Sequence, residues 1–139
     1  MAQATLTHMA LHCRDIARSI GFYERHAGLR VVHDRGAPDA RVVWMAEPGR
    51  EKRFVLVLID GGPGAEQAGN DYSHLGFAVE TREAVSRIAG DAEARGELAW
   101  PVREGDWPVG VYCGLRDPDG RMVEFSYGQP LGPGAPEDP

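Results

Sequence analysis

The sequence has little of several residue types, and each shortage argues against a class of protein. Lysine occurs once, as Lys52, among 15 basic residues, and the 21 acidic residues give a formal net charge of −6. This balance argues against nucleic acid as the main partner, because phosphate backbones are bound by basic surfaces. No run of about 18 apolar residues is present, so we expect no membrane-spanning helix and no membrane partner.

Cysteine is also scarce. Cys13 and Cys113 are the only two, and their separation fits no zinc-binding spacing. Residues 1–5 carry neither a basic start nor a long apolar stretch, so we expect no secretory signal. Two thiols in a chain without an export signal are expected to stay reduced, and we therefore predict a cytoplasmic protein.

The apolar pattern predicts the same order of elements twice: a strand, a helix and three more strands. In the first half these elements are predicted at 6–13, 15–28, 29–34, 41–46 and 54–59. In the second half they are predicted at 74–80, 81–96, 98–102, 109–115 and 121–127. Asp15 and Thr81 are the predicted helix N-caps, and Gly28 and Gly96 end the helices. Pro101 indicates that the strand over 98–102 is short and lies at a sheet edge.

The repeat predicts an α+β protein with one domain over 1–128. The domain is expected to contain two βαβββ modules, at about 5–61 and 72–128, joined by a linker over 61–71 that is rich in glycine. The tail over 129–139 is rich in proline and glycine and is predicted to be disordered. A duplicated half predicts pseudo-twofold symmetry, with equivalent positions around one central cavity. One module leaves sheet edges and an apolar face exposed, so we also expect a homodimer.

Three residues at related positions form a candidate metal site. His8 and His74 begin the first strand of each module, and Glu124 lies between apolar neighbours in the last strand. If the modules meet about a pseudo-twofold axis, two imidazoles and one carboxylate can bind one divalent ion and leave positions open for substrate. Imidazole suits Zn, Fe, Ni or Co, and the carboxylate also accepts Mn. Taken singly, each of the three is more simply a polar strand residue.

Five segments of the chain resemble the vicinal oxygen chelate superfamily, which includes glyoxalase I, extradiol dioxygenases, fosfomycin-resistance transferases and bleomycin-binding proteins. The segments are His8–Asp15, Ser19–Glu24, Gly28–Leu29, Asp71–Phe77 and Asp117–Glu124. The resemblance covers roughly 5–128 and implies a glyoxalase-like fold, in which a curved, barrel-like sheet surrounds the cavity, and a homodimer. It also implies that His8, His74 and Glu124 occupy three of the four positions that supply metal ligands in the family.

The fourth ligand position departs from the family. Laying Arg53–Leu56 over Arg121–Glu124 puts Leu56 opposite Glu124, and no residue over 54–59 can bind a metal. Extradiol dioxygenases and fosfomycin-type transferases use three ligands, which fits better than the four of glyoxalase I. Neither subclass matches fully. Ala10 replaces a threonine that the fosfomycin type uses on its substrate, and the sequence indicates no arginine-rich, lysine-containing phosphonate site. Tyr112 is out of register with the tyrosine of the extradiol type.

Further residues are candidates for the cavity wall. His12 has the same strand parity as His8 and is a candidate acid–base group. Tyr72 and Tyr112 are the other candidate catalytic residues. We expect the substrate to contact Ala10, Trp44, Trp107 and Tyr112. The small side chain of Ala10 leaves room for a ligand, and the aromatic rings could stack on that ligand. Each of them could equally be a wall or core residue.

Two functions follow as hypotheses. The first is a divalent-metal-dependent enzyme that binds a small substrate through two adjacent oxygens at a site of two histidines and one glutamate. The ion would act as a Lewis acid, and dioxygenase, lyase and transferase chemistry stay open. The alternative is a metal-free protein of the bleomycin-resistance kind that sequesters an aromatic or cationic drug. The acidic charge and the aromatic residues Trp44, Trp107 and Tyr112 motivate this alternative.

Overall fold

The computed structural model describes residues 3–136, and the chain divides into two compact units after Ala65. The first unit contains β1 (His8–Cys13), α1 (Ile16–Ala27), β2 (Arg30–Arg35), β3 (Val42–Ala46) and β4 (Val55–Asp60). The second contains β5 (Leu75–Ala78), α2 (Arg82–Ala94), β6 (Leu98–Gly105), β7 (Gly110–Arg116) and β8 (Met122–Tyr127). The predicted α+β class, with two βαβββ modules, is confirmed.

The first unit forms a four-stranded sheet in the order β1-β4-β3-β2. β1 pairs with β4 in parallel, and the other neighbours are antiparallel. Alternate residues of β1 face opposite sides of the sheet, so buried Leu11 and Cys13 lie on the side that packs with α1. His8 and Ala10 lie on the other side, with Trp44 of β3.

The second unit repeats this topology in the order β5-β8-β7-β6, again with one parallel pair, β5 with β8. Helix α2 contacts β6, β7 and β8. Its buried residues Val85 and Ala92 belong to a core shared with Cys113 and Phe125 of the sheet, all of them almost fully buried. By strand alternation, Glu124 and Tyr112 lie on the face away from α2. The face with the candidate ligand is therefore the one that the helix leaves open.

Local sequence signals fix the ends of both helices as predicted. The Asp15 side chain accepts a hydrogen bond from the Arg18 N–H at 3.2 Å, and the Thr81 hydroxyl accepts one from the Ala84 N–H at 3.1 Å. These bonds satisfy N–H groups that have no partner within the helix. Gly28 follows α1 with a φ of 67°, a left-handed conformation that favours glycine. Among residues 3–136, no helix is long and apolar enough to cross a membrane.

Strand β6 extends further than the sequence predicts. It continues to Gly105 rather than ending near residue 102, and it lies at the edge of its sheet as predicted. The pairing of β6 with β7 shifts register between Trp100 and Arg103. Pro101 lies within this irregular stretch, where its missing N–H does not interrupt the rest of the ladder.

The end of the chain folds back on the second sheet where it is described. The Gln129 side chain donates a hydrogen bond to the Val109 carbonyl at 3.0 Å, and the Ala135 N–H donates one to the Gly132 carbonyl at 3.2 Å. Residues 137–139, the last part of the tail predicted over 129–139, lie outside the described residues. Disorder of the tail stays a prediction.

Candidate functional site

In the second unit, two of the predicted ligands lie side by side. His74 directly precedes β5, and Glu124 is paired with Gly76 of β5 in the parallel ladder. The His74 Nε2 atom lies 3.4 Å from Glu124 Oε2, and the two side chains are 35% and 13% exposed. Glycines lie opposite Glu124 on both neighbouring strands, Gly76 on β5 and Gly114 on β7. The carboxylate is therefore not covered by a side chain from either cross-strand partner.

A backbone hydrogen bond orients the His74 ring. Its Nδ1 atom lies 2.6 Å from the carbonyl oxygen of Tyr72. Because a carbonyl only accepts, Nδ1 carries the proton, and in the neutral ring Nε2 then presents a lone pair towards Glu124. Histidines that bind metals commonly donate their second ring N–H to a carbonyl in this way, which fixes the tautomer.

The separation of the two atoms suits a shared ion. A charge-assisted N–H···O bond is about 2.7–2.9 Å long, which is shorter than the 3.4 Å observed. Two ligand atoms with bonds of about 2.1 Å to one ion lie 3.4 Å apart at an angle of about 108°. Within either unit, no three His, Cys, Asp or Glu side chains of the described residues form a ligand group. Among the described residues of the second unit, no third ligand therefore lies beside His74 and Glu124.

Gln67, in the linker, holds the segment before His74 against the start of β8. Its Nε2 donates to the carbonyls of Asp71 at 3.2 Å and Ser73 at 2.7 Å, and its Oε1 accepts from the Met122 N–H at 2.8 Å. The Asp71 carboxylate accepts from the Ser73 N–H at 3.0 Å, and this bond holds the pKa of Asp71 below its ordinary value. The sequence does not single out Gln67, because its partners are backbone groups, two in the loop that follows it and one, the Met122 N–H, 55 residues further along the chain.

Trp100 is a second residue that sequence reasoning missed. Its ring packs edge-on against the His74 ring, with centroids 5.7 Å apart, and lies 6.5 Å from the Tyr72 ring. The indole occupies the space above Gly114, where a Cβ atom would lie 2.4 Å from Trp100 Cε3. A glycine in the middle of a strand is the one signal in the sequence that could have indicated a close neighbour here.

The other predicted residues of the second unit lie apart from one another. Tyr112 is half-buried and shares the face of Glu124, since its cross-strand partner is Ser126. The Tyr72 side chain is 68% exposed, and Trp107 is 52% exposed in the turn between β6 and β7. The Tyr72 carbonyl bonds to the His74 ring, and the Tyr72 ring lies near the Trp100 ring, which packs on His74. Trp107 lies at the tip of the hairpin formed by β6 and β7.

In the first unit, an open cavity of about 420 Å³ includes three of the predicted residues, His8, Ala10 and Trp44. The His8 Nδ1 atom lies 3.0 Å from the Thr7 hydroxyl. His12 lies further along the same face of β1, where its ring packs so closely on Gly62 that an added Cβ would lie 2.5 Å from the ring.

Strand register corrects the sequence alignment of the two modules. His8 and His74 precede the helix N-caps Asp15 and Thr81 by the same number of residues. Ala10 pairs with Val57 just as Gly76 pairs with Glu124. The counterpart of Glu124 is therefore Val57. The alignment with Leu56 is wrong by one residue, and Leu56 is buried on the helix side of the sheet. Because valine binds no metal, the fourth ligand position stays without a donor.

Comparison with known sequences matches almost the whole chain to one family. The family model described as the Glyoxalase/Bleomycin resistance protein/Dioxygenase superfamily matches residues 5–125. An uncharacterised protein of Pseudomonas aeruginosa, PA2024, is 55% identical over 131 residues, which cover 94% of each chain. The lactoylglutathione lyase of Salmonella typhimurium is 26% identical over 133 residues, which cover 93% of this chain and 96% of the lyase.

Solved structures share the fold at low sequence identity. The fosfomycin resistance protein FosX of Listeria monocytogenes, solved with Mn(II) and 1S,2S-dihydroxypropylphosphonic acid, has a TM-score of 0.71 and 18% identity, with 90% of this chain and 93% of that chain covered. The trypanothione-dependent glyoxalase I of Leishmania major has a TM-score of 0.65 and 22% identity, with 89% and 86% covered. At such identities the likeness is one of fold.

Proposed function

Because the chain belongs to the glyoxalase/bleomycin resistance protein/dioxygenase superfamily, we propose that it is a divalent-metal-dependent enzyme that binds a small substrate through two adjacent oxygens. His74 and Glu124 would hold the ion together with His8. The observation that carries this proposal is the 3.4 Å separation of His74 Nε2 and Glu124 Oε2, with Nδ1 of His74 on the Tyr72 carbonyl. An imidazole and a carboxylate are donors that Fe, Mn, Zn, Ni and Co all accept.

His8 is the proposed third ligand. Its Nδ1 atom is engaged by the Thr7 hydroxyl at 3.0 Å, which leaves Nε2 as the ligating atom, as in His74. It would come from the first unit of the same chain or from a second copy. Val57 at the fourth position supports three protein ligands, so the ion would keep its remaining positions for substrate and water. A set of three protein ligands favours dioxygenase or transferase chemistry over the four-ligand chemistry of glyoxalase I.

The proposed roles of the other residues follow from their chemistry. The bound ion would act as a Lewis acid that stabilises negative charge on the substrate oxygens. Tyr72 and Tyr112 would donate hydrogen bonds to the substrate, and His12 would accept or return a proton. Flat parts of the substrate would stack on Trp44 and Trp107, with room left by the small side chain of Ala10.

An activity screen tests this proposal. Metal-loaded protein would be assayed with diols, epoxides and adducts of 2-oxoaldehydes with thiols. We expect Glu124→Gln to lower the activity found by at least about 100-fold, since it removes a charged donor. Glu104→Gln is the matched control, because Glu104 is an exposed carboxylate of the same sheet that pairs with Arg82 at 2.9 Å. Full activity after removal of metal by a chelator would contradict the proposal.

Exposed aromatic side chains support the second candidate, a metal-free protein that sequesters a drug. Trp44 is 37% and Trp107 is 52% exposed, so both rings can stack on a flat ligand. Calorimetry with chelator-treated protein separates the two functions. Tight binding of an aromatic drug, unchanged by metal and without turnover, would favour sequestration.

We also propose a cytoplasmic homodimer. Val31 and Val32 are about 40% exposed on β2, which is one of the two edge strands of the first sheet, and an exposed apolar edge strand favours pairing with another chain. The two free cysteines are buried, which agrees with a reducing compartment. Light scattering at micromolar concentration tests the dimer, and the mass of one chain would contradict it.

A further inference from the structure

The cavity of the first unit is lined by more cationic than anionic side chains, although the protein as a whole is acidic. Its lining contains three cationic side chains, Arg35, Lys52 and Arg53, and one carboxylate, Glu51. The chain as a whole has a net charge of −6 and a single lysine. The only lysine and two arginines thus line the same cavity as the candidate ligand His8, a cluster that is not expected from the sequence alone.

The single carboxylate does not neutralise these cations. Glu51 Oε1 accepts a hydrogen bond from the Gly49 N–H at 2.8 Å within its own turn, and such bonds lower the pKa of Glu51. Five other arginines lie against carboxylates: Arg41 on Asp34, Arg50 on Glu47, Arg82 on Glu104, Arg95 on Asp91 and Arg121 on Asp117. Within the described part of the chain, Arg35, Lys52 and Arg53 have no ion-pair partner.

The cavity also offers an apolar surface. Trp44, Phe54, Val55 and Val57 line it beside the cations, and the Arg35 guanidinium lies over the Trp44 ring at 5.9 Å from its centroid. This contact holds the guanidinium above the ring by a cation–π interaction. A volume of about 420 Å³ is within the usual range for a pocket that binds a small molecule.

We propose that the substrate is a small organic anion, whose carboxylate or phosphonate group binds Arg35, Lys52 and Arg53 while its apolar part lies on Trp44. The guanidinium groups can bind such oxygens in pairs, and the ammonium of Lys52 acts as a point charge. The inference deepens the proposed function, since His8, the proposed ligand, lines the same cavity. It excludes cationic drugs as ligands of this cavity, because like charges repel.

Calorimetry on chelator-treated protein tests the charge preference without the metal. The probes are 3,4-dihydroxybenzoate, its neutral analogue 3,4-dihydroxybenzamide, and phenylphosphonate. We expect both anions to bind at least about 10-fold more tightly than the amide at low salt, and the difference to shrink at about 0.5 M salt, where charges are screened. Binding of only one of the two anions would identify the anionic group that the cavity takes. Binding of neither anion more tightly than the amide would overturn the proposal.

Matched variants locate the site. The double variant Lys52→Gln/Arg53→Gln is expected to lose at least about 10-fold in affinity for the preferred anion. Arg50→Gln removes one positive charge from the same turn, whereas the double variant removes two. Arg50 is paired with Glu47 at 2.9 Å and is absent from the cavity lining, so the affinity of Arg50→Gln for the anion should stay within about 2-fold of the wild type. An equal loss in both variants would overturn the proposal, and circular dichroism checks that both fold.

The metal content of the same variants separates this inference from the proposed function. We expect the double variant to keep the metal of the wild type, since none of its changed residues is a proposed ligand. A wild-type protein that prefers the anion but holds no metal would contradict the proposed function alone. A wild-type protein that holds metal but binds neither anion more tightly than the amide would contradict the anionic substrate alone.

Discussion

The Nε2 atom of His74 lies 3.4 Å from Oε2 of Glu124, and the parallel pairing of β5 with β8 produces this contact. His74 directly precedes β5, and Glu124 pairs with Gly76 two residues further along. The Tyr72 carbonyl turns the ring so that Nε2 faces the carboxylate. The backbone of the second unit therefore determines this contact, and the separation of the nitrogen and the oxygen is compatible with bonds to one ion.

Gln67 is predicted to position this pair. The Gln67→Leu substitution removes three hydrogen bonds that tie the segment before His74 to the start of β8. We expect the affinity for metal to fall about 10-fold or more, because groups that orient metal ligands typically have effects of this size. Metal titration by calorimetry measures it. Gln129→Leu is the control, since Gln129 also donates to a carbonyl of the second unit. Equal affinities in all three proteins would refute a positioning role.

Gly114 is predicted to be required for the packing of Trp100. An alanine Cβ at this position would lie 2.4 Å from Trp100 Cε3, so we expect Gly114→Ala to lower the free energy of unfolding by about 1–3 kcal/mol. Urea denaturation measures the change. The control is Gly21→Ala in α1, where a Cβ meets nothing within 4 Å and where alanine should stabilise the helix by about 0.5–1 kcal/mol. A neutral Gly114→Ala would show that the indole moves away at no cost.

Much of the fold could be predicted from the sequence because local signals determine it. Asp15 and Thr81 cap the helices, Gly28 and Gly96 end them, and most predicted strands agree with the observed ones within one or two residues. The repeated order of elements follows from these signals. The end of β6 could not be predicted, since Pro101 indicates an interruption and only the partner strand β7 shows that pairing resumes at Arg103.

The site was less predictable because it depends on pairing between distant segments. The sequence indicates His8, His74 and Glu124 as candidate ligands, but the separation of His74 and Glu124 depends on the register of β5 with β8. Sequence reasoning misses Trp100 because its ring partners lie on other elements, and it misses Gln67 because this side chain bonds to backbone groups. Likewise, the register of β1 with β4 shows that the counterpart of Glu124 is Val57 and not Leu56. A difference of one residue along a strand places the side chain on the opposite face of the sheet.

The Cys113 thiol gives a pH-dependent prediction. Burial, with a further contribution from the Glu124 carboxylate, raises the pKa of Cys113 to about 11, whereas the thiol of an unfolded chain ionises near 8.5. Below the unfolded pKa both states are protonated, and at higher pH only the unfolded state gains by ionising. We therefore expect the free energy of unfolding to fall as the pH rises from about 9 to 11.

Denaturation at pH 8 and pH 10.5 in a Cys13→Ser background, in which Cys113 is the sole thiol, measures this effect. Cys113→Ala in the same background should lose that part of the pH dependence. In the folded protein at pH 8, Cys113 should also react with a thiol reagent much more slowly than in urea, since the thiolate is the reactive form. Rapid modification of the folded chain would contradict the burial of this thiol.

The metal content of the purified protein tests the central claim most directly. Elemental analysis of the wild type, His74→Ala, Glu124→Gln and the control His33→Ala, each loaded with a divalent metal and dialysed, should find about one ion per chain in the wild type and in His33→Ala. His74→Ala should hold none, and Glu124→Gln should hold far less than one. Equal metal in His74→Ala and the wild type would show that the imidazole facing Glu124 binds no ion.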